Sequence, residues 1–251
     1  MLFHDRPNKA GLTISSRNQL IDNATKIYAV FIRSFPFTWR AGLVKACFLE
    51  KPRTILDVGG GTGTLIKILK RSLPNCYTVN LELSIGDLKE SKKRNAHSAY
   101  VLGDATKPPL REGFFDVAIL SNILEHIKKQ EGLMLLEKIN YIAKKRIIAV
   151  PCNQATYESP DPKNPHQAHI SEWTPIDFSQ NYKNRRYGGL WLKGKPLSYY
   201  ISTKLKLSGF AHSKKIYTIA LVFLLDDLYD ACCGLMAYPF NQGSILIAVT
   251  K

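Results

Sequence analysis

The run Ile55-Leu56-Asp57-Val58-Gly59-Gly60-Gly61-Thr62-Gly63-Thr64 constrains this chain more than any other. Thr54–Val58 is short, apolar and rich in β-branched residues, which predicts a buried strand. It empties into a glycine-dense turn, and Leu65-Ile66-Lys67-Ile68-Leu69-Lys70-Arg71 then places apolar residues at helical spacing. Strand, glycine turn and helix make the opening unit of a doubly wound α/β fold, whose ligands sit beyond the carboxyl ends of the strands. Backbone without Cβ atoms can take positive φ there and come close to a bound nucleoside.

The turn alone leaves the nucleoside open. Dinucleotide-binding turns follow G-x-G-x-x-G, with the last glycine at the helix–strand contact. Counted from Gly59, that last place holds Thr64. The run fits D-x-G-x-G-x-G instead, with Asp57, Gly59, Gly61 and Gly63 in the four places and Gly60 between them. In this form it resembles the first motif of the class I S-adenosylmethionine (SAM)-dependent methyltransferases. The resemblance implies that the glycine turn lies against the methionine part of SAM. It also implies that Asp57 helps orient that end, through water or backbone amides.

Three further matches arrive in order. Tyr77–Leu81 reads as a second strand with Glu82 at its end and Leu83 beside it. An acid in that place accepts hydrogen bonds from the ribose hydroxyls, in nicotinamide and SAM sites alike. Ser98–Leu102 reads as a third strand, followed by Gly103-Asp104-Ala105. The resemblance puts Asp104 opposite the adenine amino group and the Ala105 amide against the ring. Phe114–Asn122 supplies a fourth strand, with Ser121 and Asn122 at the cofactor edge, and Ile123-Leu124-Glu125-His126-Ile127 follows. This F-D-V…L-E-H-I phrase is similar to the broad small-molecule ("type 11") branch of the superfamily. The implied fold is a Rossmann-like α/β domain, doubly wound around a seven-stranded, mostly parallel sheet. Its last strand is antiparallel and inserted between the fifth and sixth.

A chain of 251 residues is long enough for one such domain and a modest accessory region. Three parts are expected. Residues 1–50 form an N-terminal helical segment whose aromatics (Tyr28, Phe31, Phe35, Phe37, Trp39) suit either a lid over the cofactor or ordinary core. Residues 51–251 form the methyltransferase domain, within which 153–243 is a substrate-side loop and helical insertion. In the cofactor half, Ser84 and Asp87 predict a capped helix start. Leu133, Leu136, Ile139, Asn140 and Ala143 mark the expected inner face of the helix after the fourth strand. Arg146–Val150 and Ser244–Thr250 read as further strands.

The second half carries the acceptor side. Asn153–His169 is polar and holds three prolines, the mark of a long loop over the strand ends. Thr174 as N-cap with Pro175 at N1 predicts a helix start. The H-x-x-x-W-T-P phrase at His169–Pro175 resembles the type 11 border of the substrate cavity. Tyr157, His166 and Trp173 are therefore the expected acceptor contacts. His126 and His169 are the candidate catalytic bases, since an oxygen acceptor gains from a proton acceptor near neutral pH.

Composition narrows the partners. Lysine and arginine number 35 against 20 acids, for a net charge of +15, which can attract RNA or an anionic membrane surface. The excess is dispersed, however, and its densest run, Lys89–Arg94, falls on a predicted helix outside the substrate mouth. Five cysteines without C-x-x-C pairing suit reduced thiols in the cytoplasm, and no metal site is expected. Ile216–Leu225 is apolar but, with Asp226 and Asp227 behind it, too short to span a bilayer. It suits a buried helix, a homodimer contact or a membrane-surface contact. The expected activity is methyl transfer from SAM to an oxygen or nitrogen of a small-molecule, glycan or lipid-like acceptor. An RNA methyltransferase is the alternative enzyme, and a non-catalytic SAM-binding or partner-binding subunit is the alternative from another class.

Overall fold

The structure is a computed structural model and describes residues 39–152, 166, 168–187 and 245–251. Tyr157, the aromatics between Tyr28 and Phe37, the Ile216–Leu225 segment, Cys232 and Cys233 lie outside the described residues.

The elements run α1 (Trp39–Glu50), β1 (Thr54–Val58), α2 (Thr64–Ser72), β2 (Tyr77–Glu82), α3 (Ile85–Lys93) and β3 (Ala99–Leu102). They continue with β4 (Phe115–Ser121), α4 (Lys129–Ile142), β5 (Ala143–Pro151), β6 (Tyr182–Tyr187) and β7 (Ile245–Thr250). Local chemistry explains several boundaries. The Ser84 hydroxyl accepts the Asp87 amide at 3.2 Å and starts α3, as its spacing predicts. Thr174 caps a single 3-10 turn, Pro175–Phe178, with Pro175 at its first position as its spacing predicts. The Asp177 carboxylate folds back onto the Thr174 amide at 2.7 Å and closes that turn on itself.

The seven strands form one sheet in the order β3-β2-β1-β4-β5-β7-β6. β1 pairs in parallel with β2 and β4, and β7 lies antiparallel between β5 and β6, as the resemblance implies. Strand order reverses between β1 and β4, which is where a doubly wound sheet opens a crevice. Val58 stands opposite both Leu81 and Leu120, so the three strands bordering that crevice end level.

Both faces of the sheet are covered, so its strands carry apolar residues on each side. Leu56, Val58, Leu81, Leu120, Ile148 and Val150 face one layer, with Leu135 and Ile139 of α4. Ile55, Ile119 and Ile147 face the other, with Leu43 and Cys47 of α1 and Ile66 and Leu69 of α2. Of the expected inner face, Leu136, Ile139 and Ala143 are buried as predicted, whereas Leu133 and Asn140 are exposed and Gly132, Leu135 and Ile142 face inward. The Trp173 ring packs on this face. It presses on Gly132 so closely that a Cβ there would come within 2.7 Å, which fixes the turn of the helix.

Candidate functional site

The glycine turn occupies the crevice between β1 and β4, and its residues divide the work. Gly63 (φ +78) begins α2, and a Cβ on it would overlap that of Ala96. A Cβ on Gly60 would lie 2.6 Å from the Asp57 carboxylate and the Asn80 amide. Gly59 gives its amide to the Leu81 carbonyl at 2.8 Å and leaves its other side to the Ile123 side chain. Gly61 (φ +53) has nothing among the described residues within 4 Å of its Cβ position. Three glycines thus serve packing, and Gly61 turns a bare backbone face to open space.

The acids are arranged around that face. Glu82 accepts the Gly61 amide at 2.8 Å and the Ser84 amide at 2.8 Å, which ties the end of β2 to the turn. Asp104 accepts the Thr106 amide at 2.8 Å and shapes the loop after β3, beside buried Ala105. Leu83, Ile85 and Leu102 are exposed apolar side chains at these strand ends, suited to the flat faces of a nucleobase. Ser121 ends β4, and Asn122 follows with φ +51, a conformation asparagine tolerates better than most residues.

Asp57 lies near the end of β1. Its carboxylate is buried and meets His97 Nε2 at 2.9 Å. His97 Nδ1 lies 3.0 Å from the Ser91 hydroxyl, and the Asn80 amide donates both to Ser91 (3.4 Å) and to the Gly61 carbonyl (3.1 Å). Sequence reasoning missed His97, because no motif spacing marks a histidine between α3 and β3. It also counted Arg94 as part of a solvated basic face. The guanidinium instead donates to the Thr62 carbonyl (3.1 Å) and to the Thr62 and Thr64 hydroxyls (2.9 and 3.2 Å), and so clamps the glycine turn from outside.

The acceptor side begins at the 3-10 turn Leu124–His126. His126 and His169 stand edge to face with ring centroids 4.9 Å apart. Two amides, Ile170 (2.8 Å) and Ser171 (3.2 Å), donate to the Glu125 carbonyl, and the Ser171 hydroxyl donates to the Leu124 carbonyl at 2.9 Å. This stitching brings the two histidines together from distant parts of the chain. Burial drives the His169 imidazole down to about 4, helped by His126, and lowers the His126 imidazole too. Burial also pushes the Glu125 carboxyl up to about 8. The 3.9 Å contact between Glu125 and His126 therefore joins two neutral groups at pH 7 and is not an ion pair.

The other expected contacts separate. His166 is exposed. Trp173 is fully buried, stacked on Phe178 at 5.5 Å, with its indole N–H donating to Ser171 at 3.0 Å and Lys129 Nζ 4.0 Å from the ring centre. It belongs to the core and anchors the acceptor-side segment from beneath.

Fold and crevice together define an α/β protein whose glycine turn lies at the switch point of a 3-2-1-4-5-7-6 sheet, where such folds take their ligands. Residues 56–145 match the family described as "Methyltransferase domain". The chain is 28% identical to the demethylmenaquinone methyltransferase of Thermotoga maritima over 110 residues, 42% of this chain and 48% of that one. It is 36% identical to the malonyl-(acyl-carrier protein) O-methyltransferase of Xylella fastidiosa over 75 residues, 29% and 25% of the two chains. These matches span about half the relatives' length or less. The methyltransferase domain of bacterial CtHen1-CN shares the fold, with a TM-score of 0.50 at 12% identity over 86% of this chain and 99% of that one. Residues 56–145 thus carry a methyltransferase domain, and SAM is the cofactor of this domain. The open face at Gly61, with Glu82 on its amide, fits it.

Proposed function

We propose that this protein transfers the methyl group of SAM to an oxygen or nitrogen of a small, apolar or lipid-like acceptor. The observation that carries the reading is the adjacency of two built sites. Ile123 packs on Gly59 of the cofactor turn, and the next turn of chain presents Glu125 and His126 beside His169. Relatives named for demethylmenaquinone and for a malonyl thioester support an acceptor of that kind, and Ile170, half exposed next to His169, gives this side an apolar element.

Bound SAM supplies a methyl group on a positively charged sulfur, open to in-line attack by an acceptor lone pair. The protein's share is placement. Holding the reacting atoms at near-attack distance contributes several kcal/mol, about 7–11 in the best cases. Glu82 is placed to exchange the Gly61 amide for ribose hydroxyls, and the clamped turn keeps its shape through Arg94 and His97. His126 and His169 are uncharged at neutral pH and lie where the acceptor's proton has to be managed.

Calorimetry with SAM and with a nicotinamide dinucleotide tests the cofactor, and only SAM is expected to bind. A labelled-methyl assay over aqueous, lipid and RNA extract fractions tests the acceptor. Label is expected in the aqueous small-molecule or lipid fraction; label confined to RNA would establish the nucleic-acid alternative, and no label anywhere the non-catalytic one. His169→Ala is expected to lower turnover by about 10²-fold or more while SAM affinity changes little. Full activity in that variant removes the histidine pair from the reaction.

A further inference from the structure

Glu125, His126 and His169 form a cluster that the sequence does not announce, since no metal-ligand spacing links them. One donor atom from each lies within 4.8 Å of the other two. Glu125 is 2% exposed, and its Oε2 has no hydrogen-bond partner among the described residues. Its other oxygen, Oε1, lies 3.9 Å from His126 Nε2. A buried carboxyl oxygen left without a donor is costly and calls for a partner.

The His126 ring is prepared for one. The Ala168 carbonyl, 2.9 Å from His126 Nδ1, can only accept, so Nδ1 carries the proton and Nε2 keeps its lone pair. Fixing one imidazole nitrogen on a backbone carbonyl is how proteins orient a histidine that ligates through the other. The backbone bonds from Ile170 and Ser171 to Glu125, and from the Ser171 hydroxyl to Leu124, hold the third ligand opposite the first two. None of these bonds uses the Glu125 carboxylate.

We infer that Glu125, His126 and His169 form a binding site for a single divalent first-row transition ion. Two imidazoles and one carboxylate suit manganese, iron, cobalt or zinc, whereas magnesium and calcium prefer oxygen alone. Donor atoms bind such an ion at about 2.0–2.2 Å. The cluster therefore closes by about an ångström on loading, within reach of small side-chain rotations. Three protein ligands leave further coordination positions for an incoming oxygen.

This deepens the methyl-transfer reading and depends on it for its purpose, though not for its test. An acceptor hydroxyl bound to the ion gives up its proton to solvent more readily. The oxygen pair then forms the bond to the methyl carbon, and the carbon–sulfur pair returns to sulfur.

The test uses the full chain freed of metal by a chelator and titrated with cobalt(II), read by its visible absorption bands. One equivalent is expected to bind, and zinc to displace it. Glu125→Gln and His169→Gln are each expected to weaken cobalt binding more than about tenfold. SAM calorimetry on the same samples reports whether each variant is folded. Absence of cobalt bands in protein that binds SAM overturns the ion site and leaves the methyltransferase reading standing. Cobalt bands in protein that does not bind SAM do the reverse. Binding that survives unweakened in both folded variants places the ion elsewhere and overturns the assignment.

Discussion

Two glycines two residues apart, Gly61 and Gly63, separate stability from binding at the scale of single residues. A methyl group on Gly63 would collide with Ala96 and sit on a left-handed backbone. Gly63→Ala is therefore expected to lower unfolding stability by about 1–3 kcal/mol in urea titration. Gly61→Ala meets no protein atom and carries only the left-handed penalty, on the order of 1 kcal/mol. Its Cβ would occupy the face offered to the ligand, so SAM affinity is expected to fall by at least about tenfold with little loss of stability. If the two variants lost SAM in the same proportion as they lost stability, the division between them would be wrong. His97 acts at the same scale. It is the donor that keeps Asp57 folded under the turn, and His97→Ala leaves that buried carboxylate without this partner.

Among elements, the start of β1 is pinned by Asp116 from β4. Its carboxylate accepts the Arg53 and Thr54 amides at 2.9 and 3.2 Å and Lys144 Nζ at 2.8 Å. Those partners, Lys144 first, hold its pKa down to about 2 from 3.8. Between those values the unfolded chain binds more protons than the folded one, so stability falls as pH drops through that window and is fully present above it. Asp116→Asn is expected to be less stable than the parent at pH 7, by roughly 1–3 kcal/mol. The gap should narrow by pH 2.5 in paired urea titrations, and a gap constant across pH would show that charge plays no part.

The elements themselves were largely legible in the residues. β-branched runs marked the strands, Ser84 marked the start of α3, and the glycine turn marked the crevice, because each is encoded within about ten residues. What escaped was set by contacts between distant segments. Gly132 faces inward in α4 against Trp173, which comes from far along the chain. Asp57 turns inward because His97 arrives from another connection. The clustering of Glu125 with His169 depends on backbone bonds that no spacing records.

Across the whole molecule, thiols report on the two apolar layers. Cys152 lies in the layer with α4 and Trp173, and Cys47 in the layer with α1 and α2. Burial raises both thiols, and it lifts Cys76 to about 11. Alkylation proceeds through the thiolate, so all three are expected to react at least about a hundredfold more slowly in the native protein than in urea, by peptide mapping. Fast labelling of Cys152 beside a protected Cys47 would mean that the acceptor-side layer opens on its own. Among the described residues no helix is long and apolar enough to cross a membrane.

The position of β7 bears on how a cell makes this protein. Residues 245–250 bridge β5 and β6, which among the described residues have no other neighbour on those sides of the sheet. While a ribosome is still translating, β1 to β5 can assemble, but β6 must wait with an unpaired edge until the segment that separates them has emerged from the exit tunnel. The nascent acceptor half is thus the part in need of chaperone cover, and shortening the strand that arrives late would send it to proteases.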